Sequence, residues 1–366
     1  MRRTHRRSNA RKSPVARFGR AGIVVAGFLA ACLAAVPPKA AAVDPSPPTS
    51  AGKAGSRGAD WPRFLGPTGD GKSPEKGILT EWPPEGPPVV WHRELGVSYG
   101  IGAVAGGRFL QFDRHDDQAR LTCLDARSGK FLWKFEYPTD YEDQLGYNNG
   151  PRCSPVIDDD RVYLFGAEGM LHCVRVQDGK PLWKVDTAKR FGVVQNFFGV
   201  GSTPVVYGDL LLVMVGGSPA ESQGAGRFEM DRVRSNGAGV VAFDKRTGTV
   251  KYAATDELAS YATLQPARIG DRDWCFALAR GGLVAFDPRT GKVDFDYPWR
   301  ARLHDSVNAS TPVVVGNEVF LSEAYGPGSV LLRVKPGGCD VVWQDPPGRD
   351  KAMQCHSMPN LNWTRF

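Results

Sequence analysis

Short runs of alternating apolar and polar residues recur along the chain, separated by tight turns. Four of these segments superimpose: LTCLDARSGKFLW (121–133), LHCVRVQDGKPLW (171–183), VVAFDKRTGTVKY (240–252) and LVAFDPRTGKVDF (283–295). Each predicts a strand, a turn that ends in glycine, and a second strand that ends in an aromatic residue. The glycine supplies the positive φ that a tight hairpin turn requires. The chain therefore contains one kind of β-hairpin, repeated.

A second hairpin motif precedes each of these segments. It reads CSPVIDDDRVYLFG (153–166), STPVVYGDLLLVMVG (202–216), LQPARIGDRDWCFAL (264–278) and STPVVVGNEVFLSEA (310–324), with GAVAGGRFLQF (102–112) in the first unit. Together the two motifs give four short strands in about 45 residues, which is typical of a β-propeller blade. The pattern predicts an all-β propeller with five legible blades and no long helix.

Aromatic residues close the outermost strand of each unit and are predicted to pack between neighbouring blades. They are Trp91, Trp133, Trp183, Tyr252, Phe295 and Trp343. Trp133 and Trp183 are expected to be buried there. Trp91 ends a predicted strand, Val89–Arg93, that has no inner strands of its own.

The longest interval between these aromatics implies an insertion at Gly216–Gly239. This segment is too polar and too rich in glycine to form a strand, so it is predicted to be a solvated loop. A functional loop is the alternative, because long loops in compact domains often bind ligands and Arg227, Arg232 and Arg234 add positive charge.

The amino-terminal region predicts export. Residues 1–42 combine nine basic and no acidic residues with an apolar run, Ala21–Val36, that is too short to span a membrane. Cleavage before Val43 competes with a lipobox-like reading that would attach lipid to Cys32. Residues 43–59 predict a disordered linker, 60–350 the propeller, and 351–366 the truncated start of a further blade.

The distribution of basic and acidic residues limits the classes of binding partner. The net charge of +7 comes from the leader, because residues 43–366 hold 37 basic and 39 acidic residues. A nearly neutral folded part does not indicate nucleic-acid binding. The seven cysteines form no metal-binding or haem motif, and Cys123 and Cys173 occupy equivalent strand positions that predict buried thiols.

The sequence contains none of the known motifs for a catalytic nucleophile, a phosphate-binding loop or a catalytic zinc site. Two acidic clusters, Asp113–Asp117 and Asp158–Asp160, are read as turns, with calcium binding as the alternative. Residues just before each innermost strand are predicted to line the mouth of the central channel and to suit an anionic or glycan-like ligand, although a solvated rim needs no ligand. These candidates for cofactor binding are Asn148, Asn149, Arg152, Asn196, Tyr261, His304 and Asn308, beside Tyr147, Gln195 and Phe197.

The repeat Ser/Thr-Pro-Val-Val followed by Leu-x-x-Phe-Asp-x-x-Thr-Gly-Lys resembles the PQQ-like β-propeller repeat of quinoprotein dehydrogenases and the outer-membrane assembly lipoprotein BamB. The resemblance covers about residues 86–345, and Trp61-Pro62-Arg63-Phe64 is similar to the segment before the first blade in many bacterial members. Kelch repeats are the alternative fold. Relatives commonly close with about eight blades, so the resemblance implies an incomplete ring of a nominally eight-bladed fold.

The resemblance implies two functions. The first is a non-catalytic scaffold, in the periplasm or at the cell envelope, that binds an envelope protein or a glycan-like ligand. The alternative is a PQQ-dependent dehydrogenase that oxidises alcohols or sugars. The adjacent cysteine pair of the alcohol dehydrogenases is missing from this sequence. PQQ is thus a candidate cofactor without assigned ligand residues, and neither a catalytic nor a metal-binding residue is predicted.

Overall fold

The computed structural model describes residues 58–300 and 307–346. The chain divides into two units, Met1–Gly55 and Ser56–Phe366, and every described strand belongs to the second. The predicted leader, the linker as far as residue 57 and the predicted blade start at 351–366 lie outside the described residues, so these domain boundaries stay predictions.

In the described residues, twenty strands form five sheets of four. Blade 1 contains β1 (Ala103–Ala105), β2 (Arg108–His115), β3 (Gln118–Asp125) and β4 (Phe131–Pro138). Blade 2 contains β5 (Val156–Asp158), β6 (Arg161–Phe165), β7 (Met170–Arg175) and β8 (Pro181–Asp186). Blade 3 contains β9 (Val205–Tyr207), β10 (Leu210–Met214), β11 (Val240–Asp244) and β12 (Val250–Ala254).

The last two blades repeat this arrangement. Blade 4 contains β13 (Gln265–Ile269), β14 (Arg272–Leu278), β15 (Gly282–Phe286) and β16 (Val293–Pro298). Blade 5 contains β17 (Val313–Val315), β18 (Glu318–Glu323), β19 (Gly328–Lys335) and β20 (Gly338–Gln344). A short helix, α1 (Thr187–Phe191), follows β8, and two 3-10 helices, Ala220–Ser222 and Arg227–Arg232, lie between β10 and β11.

Each sheet is antiparallel and its strands follow chain order. The register shifts by one residue in the outer hairpin of every blade, next to the position opposite the closing aromatic. Cys123 and Cys173 are buried and pair across the ladder with Trp133 and Trp183, as their equivalent positions predict. The prediction of a propeller built from four-stranded blades, five of them legible, is confirmed.

The hydrophobic core lies between blades rather than within them. One cluster joins blades 1 and 2 through side chains such as Phe112 and Leu164, and another joins blades 2 and 3 through Tyr163 and Phe243. Equivalent clusters join blades 3 to 4 and 4 to 5. Successive side chains of a strand point to opposite faces, and central strands such as β10 and β15 are apolar and buried at successive positions. Their sheets therefore have two apolar faces and can pack against a neighbour on both sides.

The closing aromatics contact the glycine turn of the next blade. The indole N–H of Trp133 donates to the Val176 carbonyl at 3.0 Å, and the ring lies where a Cβ on Gly179 would be, 2.5 Å from the nearest ring atom. Trp183 and Tyr252 repeat this contact, with Gly248 and Gly291 under their rings and bonds to the Lys245 and Pro288 carbonyls. Trp133 is buried, whereas Trp183 is only half-buried.

Val89–Arg93 forms no ladder with any described strand, which agrees with the prediction that this segment is unpaired or paired unusually, although its residues are not in a strand. Trp91 nevertheless donates to the Ala126 carbonyl at 3.1 Å and covers Gly129, the contact that the other aromatics make with a following blade. Phe295 is buried against Trp274, while Trp343 is exposed and stacks on Phe320.

Among residues 58–300 and 307–346, no helix is long and apolar enough to cross a membrane. All strands of each described sheet come from one continuous stretch of chain. No other described segment completes the first or the last blade, as expected for an incomplete ring.

Candidate functional site

Arg152 lies immediately before the innermost strand of blade 2, where the sequence predicts the channel mouth. Its guanidinium pairs with Asp143 and packs over the rings of Tyr99 and Tyr141, at 5.5 and 5.0 Å from their centroids. Both members of the ion pair are buried. The cation is thus neutralised by one carboxylate and stabilised by two aromatic faces.

Asn148 and Asn149 serve the loop that carries them. Asn148 Oδ1 accepts from the backbone N–H of Gly150 at 2.7 Å, and Asn149 Oδ1 accepts from that of Asp143 at 2.8 Å. Side chains that bond to their own loop in this way stabilise turns. These two amides therefore shape the loop between β4 and β5.

Asn196, Tyr261 and Asn308 form a connected group that joins blades. Asn196 Nδ2 donates to the Ala259 carbonyl at 2.8 Å, and the Tyr261 hydroxyl accepts from the Phe198 N–H at 2.9 Å. Asn308 Nδ2 donates to the carbonyls of Ala279 and Trp299 at 2.7 and 3.0 Å, and Tyr261 N–H donates to the Asn308 carbonyl at 2.9 Å. His304, the remaining predicted site residue, lies outside the described residues.

Arg280 belongs to this group, although the sequence did not single it out. It follows β14 in the turn Ala279-Arg280-Gly281-Gly282, where its neighbours are apolar or small. Its Nη1 donates to Asn196 Oδ1 at 2.7 Å, and only 2% of the residue is exposed. Burial, together with the nearby charge of Arg300, lowers the pKa of Arg280 to about 10. In the sequence, the signal that could have identified Arg280 is a charged residue between apolar and glycine neighbours.

The insertion Gly216–Gly239 packs over this group, which differs from the predicted solvated loop. Met230 and Val233 are buried with Phe197 and Val307. Met230 lies in the second 3-10 helix and Val233 directly follows its last residue, and both side chains are buried in an otherwise polar segment. The insertion is therefore held to this group by apolar contacts.

Little space remains beneath the insertion. The cavity between Met230, Asn196 and Ser260 measures about 20 Å³, enough for about one water molecule. Sites for drug-sized ligands have volumes of roughly 300–1,000 Å³. A tricyclic quinone such as PQQ does not fit between these residues as they stand.

The acidic clusters form turns and ion pairs. Asp116 and Asp159 adopt positive φ at turns between strands. Asp113 is buried and bonds Arg120, and Asp158 pairs with Lys245 at 2.8 Å. Within the part of the chain that the structure describes, no group of three or more His, Cys, Asp or Glu side chains is arranged to hold a metal ion.

Comparison with known proteins identifies the family. A family model described as outer membrane protein assembly factor BamB matches residues 77–226 and 118–358. No curated protein matches the chain. Solved structures that are similar to this chain include BamB from Moraxella catarrhalis, at 15% identity and a TM-score of 0.44 over 69% of this chain and 63% of that one.

Another such structure is the quinohemoprotein alcohol dehydrogenase from Comamonas testosteroni, at 14% identity and a TM-score of 0.48 over 75% of this chain and 46% of that one. The chain thus spans less than two thirds of the length of either structure. The family match covers well over half of the chain, and the protein belongs to the PQQ-like β-propeller family that includes the outer membrane protein assembly factor BamB.

Proposed function

We propose that this protein is an exported, non-catalytic scaffold that binds other proteins in the periplasm or at the cell envelope. The observation that carries the proposal is an exposed apolar segment, residues 78–101. Nine of the nineteen strongly exposed large apolar side chains in the described residues belong to it: Ile78, Leu79, Trp82, Val89, Val90, Leu95, Val97, Tyr99 and Ile101. Concentrated apolar exposure of this kind marks an interaction surface.

The segment is fixed at points along blade 1 while its apolar side chains stay in solvent. Trp91 is bonded to the turn after β3, and Arg93 donates to the Gly129 carbonyl at 3.2 Å. Val97 pairs with Arg114 through backbone bonds of 2.9 and 3.0 Å. Between these points Val89 and Val90 are 78% and 82% exposed. Ordered backbone with exposed apolar side chains can receive an extended segment of a partner.

The channel mouth supports a scaffold more than an enzyme. Asn196 and Asn308 use their amide N–H groups to join loops from different blades. The insertion leaves room for about one water molecule there. The family description, an assembly factor, agrees with binding to proteins.

A capture experiment tests the surface. Purified protein and the double variant Val89→Asp/Val90→Asp are immobilised, and envelope extract is passed over both. We expect the variant to lose at least about tenfold in capture of the partner retained by the parent, because charges cannot be buried in an apolar contact without a counter-charge. Val315→Asp, at an exposed position in blade 5, is the matched control. Equal capture by all three proteins would exclude residues 78–101 as the docking surface.

A second assay separates the scaffold from a quinoprotein. PQQ and calcium are added to the purified protein, and dye reduction is followed with alcohols and sugars. We expect neither tight quinone binding nor turnover, because the cavity beside Asn196 and Met230 is too small for a tricyclic quinone. Turnover would overturn the scaffold proposal.

Export is part of the proposal and has its own measurement. We expect intact-mass spectrometry of the exported protein to find Val43 at the amino terminus or lipid on Cys32. Both results follow from a basic region, an apolar run and small residues in succession. An intact leader on protein recovered from the cytoplasm would contradict export.

A further inference from the structure

Arg280 is buried with unused hydrogen-bond donors. One donor group, Nη1, bonds Asn196, but Nε and Nη2 have no hydrogen-bond partner among the described residues. Buried guanidinium groups without partners are costly, because the donors lose their bonds to water. A group that the structure lacks would remove this cost if it offered acceptor oxygens.

A second arginine lies nearby, and one carboxylate lies between the two. Arg300 Nη2 pairs with Asp231 Oδ1 at 3.0 Å, and Arg280 Nη2 is 3.9 Å from the same oxygen. Arg300 Nε also has no hydrogen-bond partner in the described part of the chain. Both guanidinium groups thus face Asp231, and each retains at least one donor without a hydrogen-bond partner.

A second carboxylate, that of Glu257, also interacts with Arg300. Glu257 accepts from the Gly281 N–H at 2.9 Å, and burial raises its pKa, which favours its neutral form. The strongest compensation for Arg280 and Arg300 therefore comes from Asp231. Asp231 belongs to the insertion, not to a blade, so it can move without breaking a sheet.

We propose that Arg280 and Arg300 form a binding site for a small carboxylate ligand, and that Asp231 of the insertion occupies this site as an internal substitute in the free protein. Guanidinium forks match a carboxylate in plane and spacing, and the partner already present is a carboxylate. The ligand would replace the Asp231 carboxylate, so it is restricted to about the size of acetate unless the insertion moves. This proposal is independent of protein binding by residues 78–101.

The test removes the internal carboxylate and supplies a free one. Asp231→Ala is compared with the parent by thermal unfolding in chloride and in acetate at constant ionic strength. We expect the variant to unfold at a lower temperature in chloride and to recover in acetate, since a ligand that binds only the folded state stabilises it by mass action. We also expect at least about a tenfold tighter acetate Kd than for the parent.

The matched control is Glu229→Ala. It removes the same charge from the same 3-10 helix, but Glu229 pairs with the exposed Arg232 at 2.7 Å. We expect no recovery in acetate for this variant. An equal effect of acetate on both variants would show that net charge alone explains the result and would overturn the proposal.

Two further arms test the arginines and the class of anion. In the Asp231→Ala background, Arg280→Gln should abolish the recovery in acetate; if that protein does not fold, Arg300→Gln serves the same purpose. Recovery that persists without either arginine overturns the site. Inorganic phosphate should stabilise Asp231→Ala less than acetate does, and the opposite order would overturn the carboxylate assignment.

Discussion

At the scale of single residues, the repeat is defined by a glycine and a ring. Gly179 has φ of +72°, and its missing side chain leaves the space that the Trp133 ring fills. The glycine thus has two functions, since it permits the left-handed turn and admits the aromatic of the preceding blade. The sequence reveals the first function, whereas the second appears only when two blades are adjacent.

The two functions can be separated by comparing glycines. Gly316 has φ of +59° and nothing within 4 Å of an added Cβ. We expect Gly316→Ala to lower the free energy of unfolding by about 1–2 kcal/mol through backbone strain. Gly179→Ala should cost a further 1–3 kcal/mol or so, because the methyl group would overlap the Trp133 ring. Urea unfolding measures both.

A double-mutant cycle tests whether the Trp133 ring causes the additional cost of Gly179→Ala. In the Trp133→Ala background, the additional cost of Gly179→Ala should disappear. If it persists, the ring is not what excludes a side chain at position 179.

At the scale of elements, the interface of blades 1 and 2 contains a buried histidine. His172 on β7 packs against Phe135 and Tyr137 of β4, with ring centroids 5.3 and 4.3 Å away. Burial, and then the charge of Lys184, lower the pKa of His172 from 6.5 to about 4. Glu168, which accepts a bond from the Tyr137 hydroxyl, has a pKa raised by burial. Burial thus shifts the pKa of each side chain in the direction of its neutral form.

The histidine makes stability depend on pH. Between about pH 6.5 and 4 the unfolded chain binds a proton that folded His172 does not, so its contribution to stability falls as pH falls. The expected loss from pH 7 to pH 5 is about 2 kcal/mol. Glu168 acts in the opposite direction. Because its pKa is raised in the folded state, its contribution to stability falls as the pH rises above 4.5, the pKa of the unfolded chain.

We expect His172→Gln to lose about 2 kcal/mol less than the parent between pH 7 and pH 5, as measured by urea unfolding at both values. His92→Gln, at an exposed position, is the control. Equal pH dependence in His172→Gln and the parent would show that His172 is not held neutral.

The sequence predicts the blades well because strand alternation and glycine turns are local signals. It fails where the deciding contacts are distant in sequence. The Val89–Arg93 segment has a strand pattern but pairs with no described strand, and Pro87 and Pro88 before it lack backbone donors. Arg280 acquires its role from Asn196, 84 positions away. Burial of Met230 likewise depends on neighbours outside the insertion.

At the scale of the whole molecule, residues 60–62, before the first blade, join two innermost strands. We call this segment the strap. Trp61 exchanges backbone bonds of 2.8 and 2.9 Å with Val104 of β1, and the Pro62 carbonyl accepts from Ile157 N–H of β5 at 2.8 Å. Asp60 accepts from the backbone N–H of Gly106. Both β1 and β5 have three residues and one neighbour in their own sheets. The strap therefore supplies bonds that these short strands lack on their other side.

The strap should control how the first two blades open. Trp61→Pro removes the N–H that donates to Val104, so we expect faster hydrogen exchange at the Val104 and Ile157 amides, by about tenfold or more. Trp61→Ala keeps the backbone bond and should have a smaller effect at both amides. Val90→Pro, where no described backbone bond is lost, is the control. Faster exchange at β17 to the same extent would mean general destabilisation, and unchanged exchange at Val104 and Ile157 would show that the strap does not hold these strands.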